Sequence, residues 1–258
     1  ILKVGEIYAF VGLLLFLGSM LYRSSRKHKQ KVKDEAEIRS LRKGDIGTVT
    51  DMITESSAQI SKVFRKTSAL YSNLIDNLSL QDLAKLKENK KDQKKLEKEI
   101  DELKSNVFYF IKNLDDNSVE ASKFYILILG YLQDMVQSID FITANSYSHV
   151  ANNHKQLKFN QIRDLKTIDK QLQHLLQLLE DSFKSEDFYR IDLILNDKEI
   201  LLETVSELIS KQIKRIRTTE TSPKNSKLYF ALLLETNDLV KSIMNLLELF
   251  KEFNKLNK

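Results

Sequence analysis

The chain has 258 residues, with 41 Lys or Arg against 36 Asp or Glu, no Cys, one Pro and six Gly. Without cysteine it holds no disulfide, no thiolate metal site and no thiol nucleophile. So few Gly and Pro leave little to interrupt helices, and the length suffices for one or two packed domains, so the expected class is all-α.

The first element expected is a transmembrane helix over residues 1–22. Ile7 to Tyr22 (IYAFVGLLLFLGSMLY) carries no charge. Joined to Ile1–Gly5, with Lys3 and Glu6 included at some cost, the run reaches the length of a spanning helix, about 17–25 residues. Ile1 is not Met and lies inside this run, so either the N-terminus was processed or the chain is a fragment, and the apolar run favours the expectation of a fragment of a larger membrane protein. A basic juxtamembrane linker follows at residues 23–47. It opens with Arg23, Arg26, Lys27, Lys29, Lys31 and Lys33, and no acid falls among residues 23–33. A signal peptide carries its positive charges before the apolar run and a small-residue cleavage site after it, the reverse of this order. Basic residues flanking a span stay on the cytoplasmic side, so residues 23–258 are expected in the cytoplasm, under a cell membrane. A nucleic-acid binder spreads its basic residues over a folded face. This cluster abuts an apolar run and points to membrane lipid instead.

Six helical segments are expected beyond the linker, roughly over 48–76, 79–113, 117–147, 159–183, 185–216 and 224–255. Breaks fall at Asn77, at Asn113–Asn117, at Asn152–His154, near Ser185, and at Thr221–Asn225 around Pro223. Ser79 followed by Asp82, and Ser118 followed by Ala121, are read as N-cap signals. Helices of this length with short loops imply antiparallel bundles. The charged stretch Lys85–Lys104 matches acids to lysines and keeps only a thin apolar stripe at Leu86, Leu96, Ile100 and Leu103. It is read as a solvated helix face.

The strongest internal signal is a repeat. SKFYILILGYLQDMVQSI from Ser122 aligns without a gap on SKLYFALLLETNDLVKSI from Ser226. Ser122/Ser226, Lys123/Lys227, Tyr125/Tyr229, Asp134/Asp238 and Ser138/Ser242 are identical, and most other pairs are both apolar. Two unrelated amphipathic helices share apolar spacing, not matched Ser-Lys, Asp and Ser. Each copy is the third helix of a set. The expected organisation is one transmembrane helix followed by two similar three-helix bundles, at residues 48–152 and 153–258.

Asp134 and Ser138 lie along one flank of the apolar stripe of α-helical period, and Asp238 and Ser242 repeat the relation, with Glu235 beside them. Asp134, Glu235 and Asp238 are therefore the candidate metal or docking carboxylates. The same groups can instead edge the core and hydrogen-bond neighbouring helices, and docking or inter-helix bonding is the preferred reading. His149 and His154 are five apart, which aims them at different faces of a helix. His28 and His174 stand alone. No Gly-rich loop, Ser/His/Asp pattern or HExxH motif occurs, so no catalytic residue and no cofactor are expected, and the chain is read as not an enzyme.

The stretches LGYLQDMVQSI (Leu129 to Ile139) and LLETNDLVKSI (Leu233 to Ile243) resemble the aspartate-bearing third helices of the PhoU family, with Asp134 and Asp238 on the family's aspartate. The family's glutamate falls on Gly130 and Leu234, so its E-x-x-x-D metal motif is broken in both copies. A membrane helix leading into a PhoU-like region resembles the C-terminal end of PiT-family inorganic phosphate transporters, and Ser122 to Ile162 carries that likeness in particular. The resemblance implies a PhoU-like fold and a regulatory cytoplasmic region joined to the last transmembrane helix of a phosphate permease. Its partners would be that permease domain of the same protein, lipid, and further copies of the chain. The alternative is a membrane-tethered helical signalling or scaffold module.

Overall fold

The computed structural model describes residues 49–112, 119–187, 191–218 and 222–256. Among them the chain forms helices and no strand. The elements are α1 (Val49–Ser79), α2 (Leu83–Lys112), α3 (Val119–Ala151), α4 (Phe159–Ser185), α5 (Ile191–Thr218) and α6 (Pro223–Leu256). Residues 1–22 and the linker with Arg23, Arg26, Lys27, Lys29, Lys31 and Lys33 lie outside the described residues. Among those described, no helix is long and apolar enough to cross a membrane.

Each helix forms where apolar residues recur at three- and four-residue steps. In α1, Ile60, Val63, Phe64, Leu70, Tyr71, Leu74, Ile75 and Leu78 are buried at such steps. In α2 the buried line is thinner, Leu86, Asn89, Gln93, Leu96 and Ile100. The rest of that helix is solvated and laced by pairs such as Lys94–Glu97 at 2.7 Å and Lys98–Glu102 at 3.3 Å. Pairs of this kind on an exposed face add only a few tenths of a kcal/mol each, about 0.3–0.5. α2 is held chiefly by its apolar stripe.

The turns use few glycines. Gln81, Asn153 and Glu186 adopt left-handed φ of 54°, 52° and 53°, and each ends or follows a helix, where a left-handed residue lets trailing N–H groups turn back to free carbonyls. Asp187 N–H, for example, donates to Ser182 O at 3.1 Å. Pro223 is the first residue of α6, a position whose N–H would have no intrahelical acceptor in any case. One expected boundary is corrected. α1 passes Asn77 and ends at Ser79, whose hydroxyl donates to Asp76 O at 2.7 Å. Ser79 therefore closes α1 and does not cap α2. The cap is Asp82, whose Oδ1 accepts Lys85 N–H at 3.0 Å. The break expected at Asn113–Asn117 and the cap expected at Ser118 lie outside the described residues.

Residues 48–258 make one compact unit. Its two most extensive helix contacts are α3 with α6 and α1 with α4, and α2 lies against α3. Both pairs are antiparallel. Phe64 midway along α1 meets Phe183 late in α4 while Asp76 near the end of α1 pairs with Lys166 early in α4, and Phe124 early in α3 meets Phe250 late in α6. Phe183 also packs edge-on against Phe250, with centroids 4.8 Å apart. One aromatic chain thus ties α1, α4, α6 and α3 at what is here the phenylalanine end. Such pairs contribute about 0.5–1.5 kcal/mol each beyond their buried area.

At the opposite end, the α3–α4 turn is the junction. Gln156 Nε2 donates to Ser79 O at 2.6 Å, and Gln156 O accepts from Asn225 Nδ2 at 2.8 Å. This glutamine end gathers the end of α1, the α3–α4 turn and the start of α6.

Candidate functional site

The repeated stretches of α3 and α6 occupy matching environments. Burial agrees at each aligned pair from Ser122/Ser226 to Ile139/Ile243, except at Ser122/Ser226, Tyr125/Tyr229 and Ile126/Phe230. Asp134 and Asp238 are both exposed, and Ser138 and Ser242 are both buried. The flank shared in the sequence is therefore an edge, with aspartate outward and serine inward. Ser242 Oγ donates to Asp238 O at 3.1 Å, back along its own helix.

Helix register brings the two aspartates to one height. Asp134 lies ten residues from Phe124 and Asp238 twelve residues from Phe250, and those phenylalanines touch. At about 1.5 Å of rise per residue these are about 15 and 18 Å along antiparallel neighbours. Asp238 pairs with Lys241 at 3.2 Å. Glu235 is half-buried, and burial raises its carboxyl pKa, with the charge of Asp238 adding to the rise. Among the described residues no three Asp, Glu, His or Cys side chains gather as a metal would need. A hard cation wants several oxygen ligands, and Asp134, Glu235 and Asp238 do not gather into such a set.

Gly130, which aligns with the glutamate of the PhoU motif that the sequence resembles, is exposed and has nothing within 4 Å of an added Cβ. Leu234, its counterpart, is 51% exposed. Both positions face outward one turn before an exposed aspartate.

A second polar cluster was not visible in the sequence. Asp164 of α4 is buried and accepts from Arg215 Nη2 at 2.7 Å, Lys211 Nζ at 3.3 Å and the Tyr229 hydroxyl at 3.3 Å. Gln212 extends it, accepting from Arg215 at 3.3 Å and Gln161 at 3.2 Å, and donating to Ser226 Oγ at 3.1 Å. Burial and the Asp164 charge hold the Tyr229 phenol above its ordinary range. The cluster joins α4, α5 and α6, and its Asp–Arg pair is matched and hydrogen-bonded, which suits a lock better than a reactive centre. It explains why serine and tyrosine recur in the second copy: Ser226 and Tyr229 are members. No local spacing signals it, because its parts lie 51 and 65 residues from Asp164.

The histidines need one correction. His149 and His154 do not diverge. α3 ends at Ala151, the turn through Asn153 folds back, and the two rings stand 5.2 Å apart. His149 is buried and its Nε2 lies 2.9 Å from Lys155 O. Burial lowers its pKa, and His154 lowers it further against the opposing bond to Lys155. His174 is exposed and pairs with Asp197 at 2.7 Å.

An open groove of about 340 Å³ runs between α1 and α4, lined by Arg65, Ser72, Gln173 and Glu180 among others. Glu180 is held by Lys184 at 2.9 Å. Comparison with known protein families and with curated proteins returns no match.

Proposed function

We propose that this chain is the regulatory, PhoU-like region of an inorganic phosphate transporter, built as two related three-helix units and joined through residues 1–22 to a permease. The observation that carries the reading is the repeat. Its two copies lie on packed antiparallel helices, keep the same burial at all but three aligned pairs, and hold Asp134 and Asp238 outward at one height. A surface so duplicated suits a partner met at two equivalent points, and the helical unit carries no reactive constellation among its described residues.

The module would act by docking on the cytoplasmic face of the permease and favouring one conformation. It shifts that equilibrium only as far as it binds one state better than the other. Exposed Asp134 and Asp238 supply acidic contacts for basic cytoplasmic loops, which are common in membrane proteins.

The test is Asp134→Asn with Asp238→Asn in the natural full-length protein. Both side chains are exposed, so the melting temperature should hold while phosphate uptake changes severalfold. Unchanged uptake in a stably folded double variant removes the aspartates from the reading. If deleting residues 48–258 also leaves uptake rate and phosphate dependence as they were, the regulatory reading fails.

A further inference from the structure

We propose that the glutamine end of the bundle is a docking surface for an anionic lipid bilayer. Among the described residues the two most exposed large apolar side chains lie there, Phe159 at 83% and Leu80 at 69%, and Leu83 at 41% joins them. They come from the start of α4, the α1–α2 turn and the first residue of α2, and the Gln156 bond to Ser79 O holds the α3–α4 turn to the end of α1. None of them belongs to the buried core.

Charge at this end is positive. Lys155 in the α3–α4 turn, Arg163 on the first turns of α4, Arg217 at the end of α5 and Lys224 at the start of α6 are all exposed. None has an ion-pair partner among the described residues. Of the acids nearby, Asp82 pairs with Lys85, Asp76 with Lys166, and Asp164 lies within the buried cluster, which leaves exposed Glu88 outnumbered by the bases of this end. The phenylalanine end differs, presenting exposed Glu102, Asp181, Glu186 and Glu252. The bundle is therefore polarised along its helices, with basic and apolar groups together at one end.

That combination is what an acidic lipid surface selects. Apolar side chains enter the boundary between headgroups and acyl chains, while surrounding Lys and Arg meet anionic headgroups. A protein groove would need a concave counterpart to Phe159 and offers no reason for the surrounding positive charge. Scattered single apolar residues need no explanation, but three at one end within a basic rim do.

Docking of this end does not require the transport role proposed above, and the assay below reads it without measuring transport. The chain lacks cysteine, so Asn152→Cys at the glutamine end and Glu252→Cys at the other can each carry a single fluorophore. The full chain is reconstituted in vesicles of phosphatidylcholine alone, or of phosphatidylcholine mixed with phosphatidylglycerol, each with a lipid-borne quencher. Quenching at position 152 should be severalfold greater with phosphatidylglycerol and fall with added salt, whereas position 252 stays unquenched. Phe159→Ser with Leu80→Ser should abolish most of it, and because both residues are exposed the melting temperature should not move. Lys155→Glu with Lys224→Glu should bring it down to the level seen with phosphatidylcholine alone. Equal quenching at both positions, none at 152 on anionic vesicles, or indifference to both pairs of substitutions overturns the proposal. Cross-linking of position 152 to a second copy, with the fluorophore still in water, also overturns it, making this end a protein interface.

Discussion

Gly130 stands mid-helix on α3 with open space beyond it. A helical glycine costs about 0.5–1 kcal/mol relative to alanine, because the unfolded chain has more freedom to lose. Gly130→Ala should therefore raise stability by about that much, read as a higher melting temperature. Gly130→Glu should fold equally well and set a carboxylate one turn before Asp134. His149 makes a different prediction. Its folded pKa lies below the ordinary 6.5 because its ring is buried. The neutral form is the one the fold accepts, so its contribution is intact above 6.5 and is lost as pH falls through the depressed folded value. Urea denaturation at a series of pH values should show stability falling below about 6.5. His149→Gln should flatten that dependence.

Between helices, the Asp164 cluster is the polar tie of α4, α5 and α6. Asp164→Ala leaves Arg215, whose side chain is only 12% exposed, without its counter-charge. Removing one partner of a buried pair costs about 3–5 kcal/mol, whereas replacing both with apolar groups of similar volume is often neutral. Asp164→Leu combined with Arg215→Met should recover most of the loss of Asp164→Ala in chemical denaturation. A cost equal to the sum of the single variants would mean that the two side chains do not act as a pair. Tyr71 and Thr236 make a smaller tie of α1 to α6 at 2.7 Å. Thr236 already donates to Leu232 O, so Tyr71 is the donor. Tyr71→Phe should cost about 1 kcal/mol.

Over the whole molecule, the main contacts of α4 and α6 are with α1 and α3. The apolar faces of residues 153–258 are thus covered by residues 48–152, and the reverse. Produced separately, the two halves should lack stable tertiary structure by circular dichroism and aggregate in gel filtration, and mixing them should restore helicity and solubility. A separately folded half with a sharp melting transition would contradict this. Phe250→Ala removes one link of the aromatic chain spanning both halves and should cost about 3–5 kcal/mol.

The scarcity of Gly and Pro and the apolar periodicity were enough to reveal that the described residues are all-helical, and the order of their helices. The boundaries at Pro223 and near Ser185 were legible because such signals act on the backbone within a few residues. Ser79 misled because a serine can close one helix as readily as open the next, and only the fold back through Gln81 decides which. The gap-free repeat revealed that α3 and α6 would share an environment, since matched burial is written in side-chain type. Tertiary structure alone decided the rest. Pairing of α3 with α6 and of α1 with α4, the gathering of Asp164, Arg215 and Tyr229, and the bond of Gln156 to Ser79 all join residues far apart in the chain. Periodicity says which face of a helix is apolar, but not which other helix covers it.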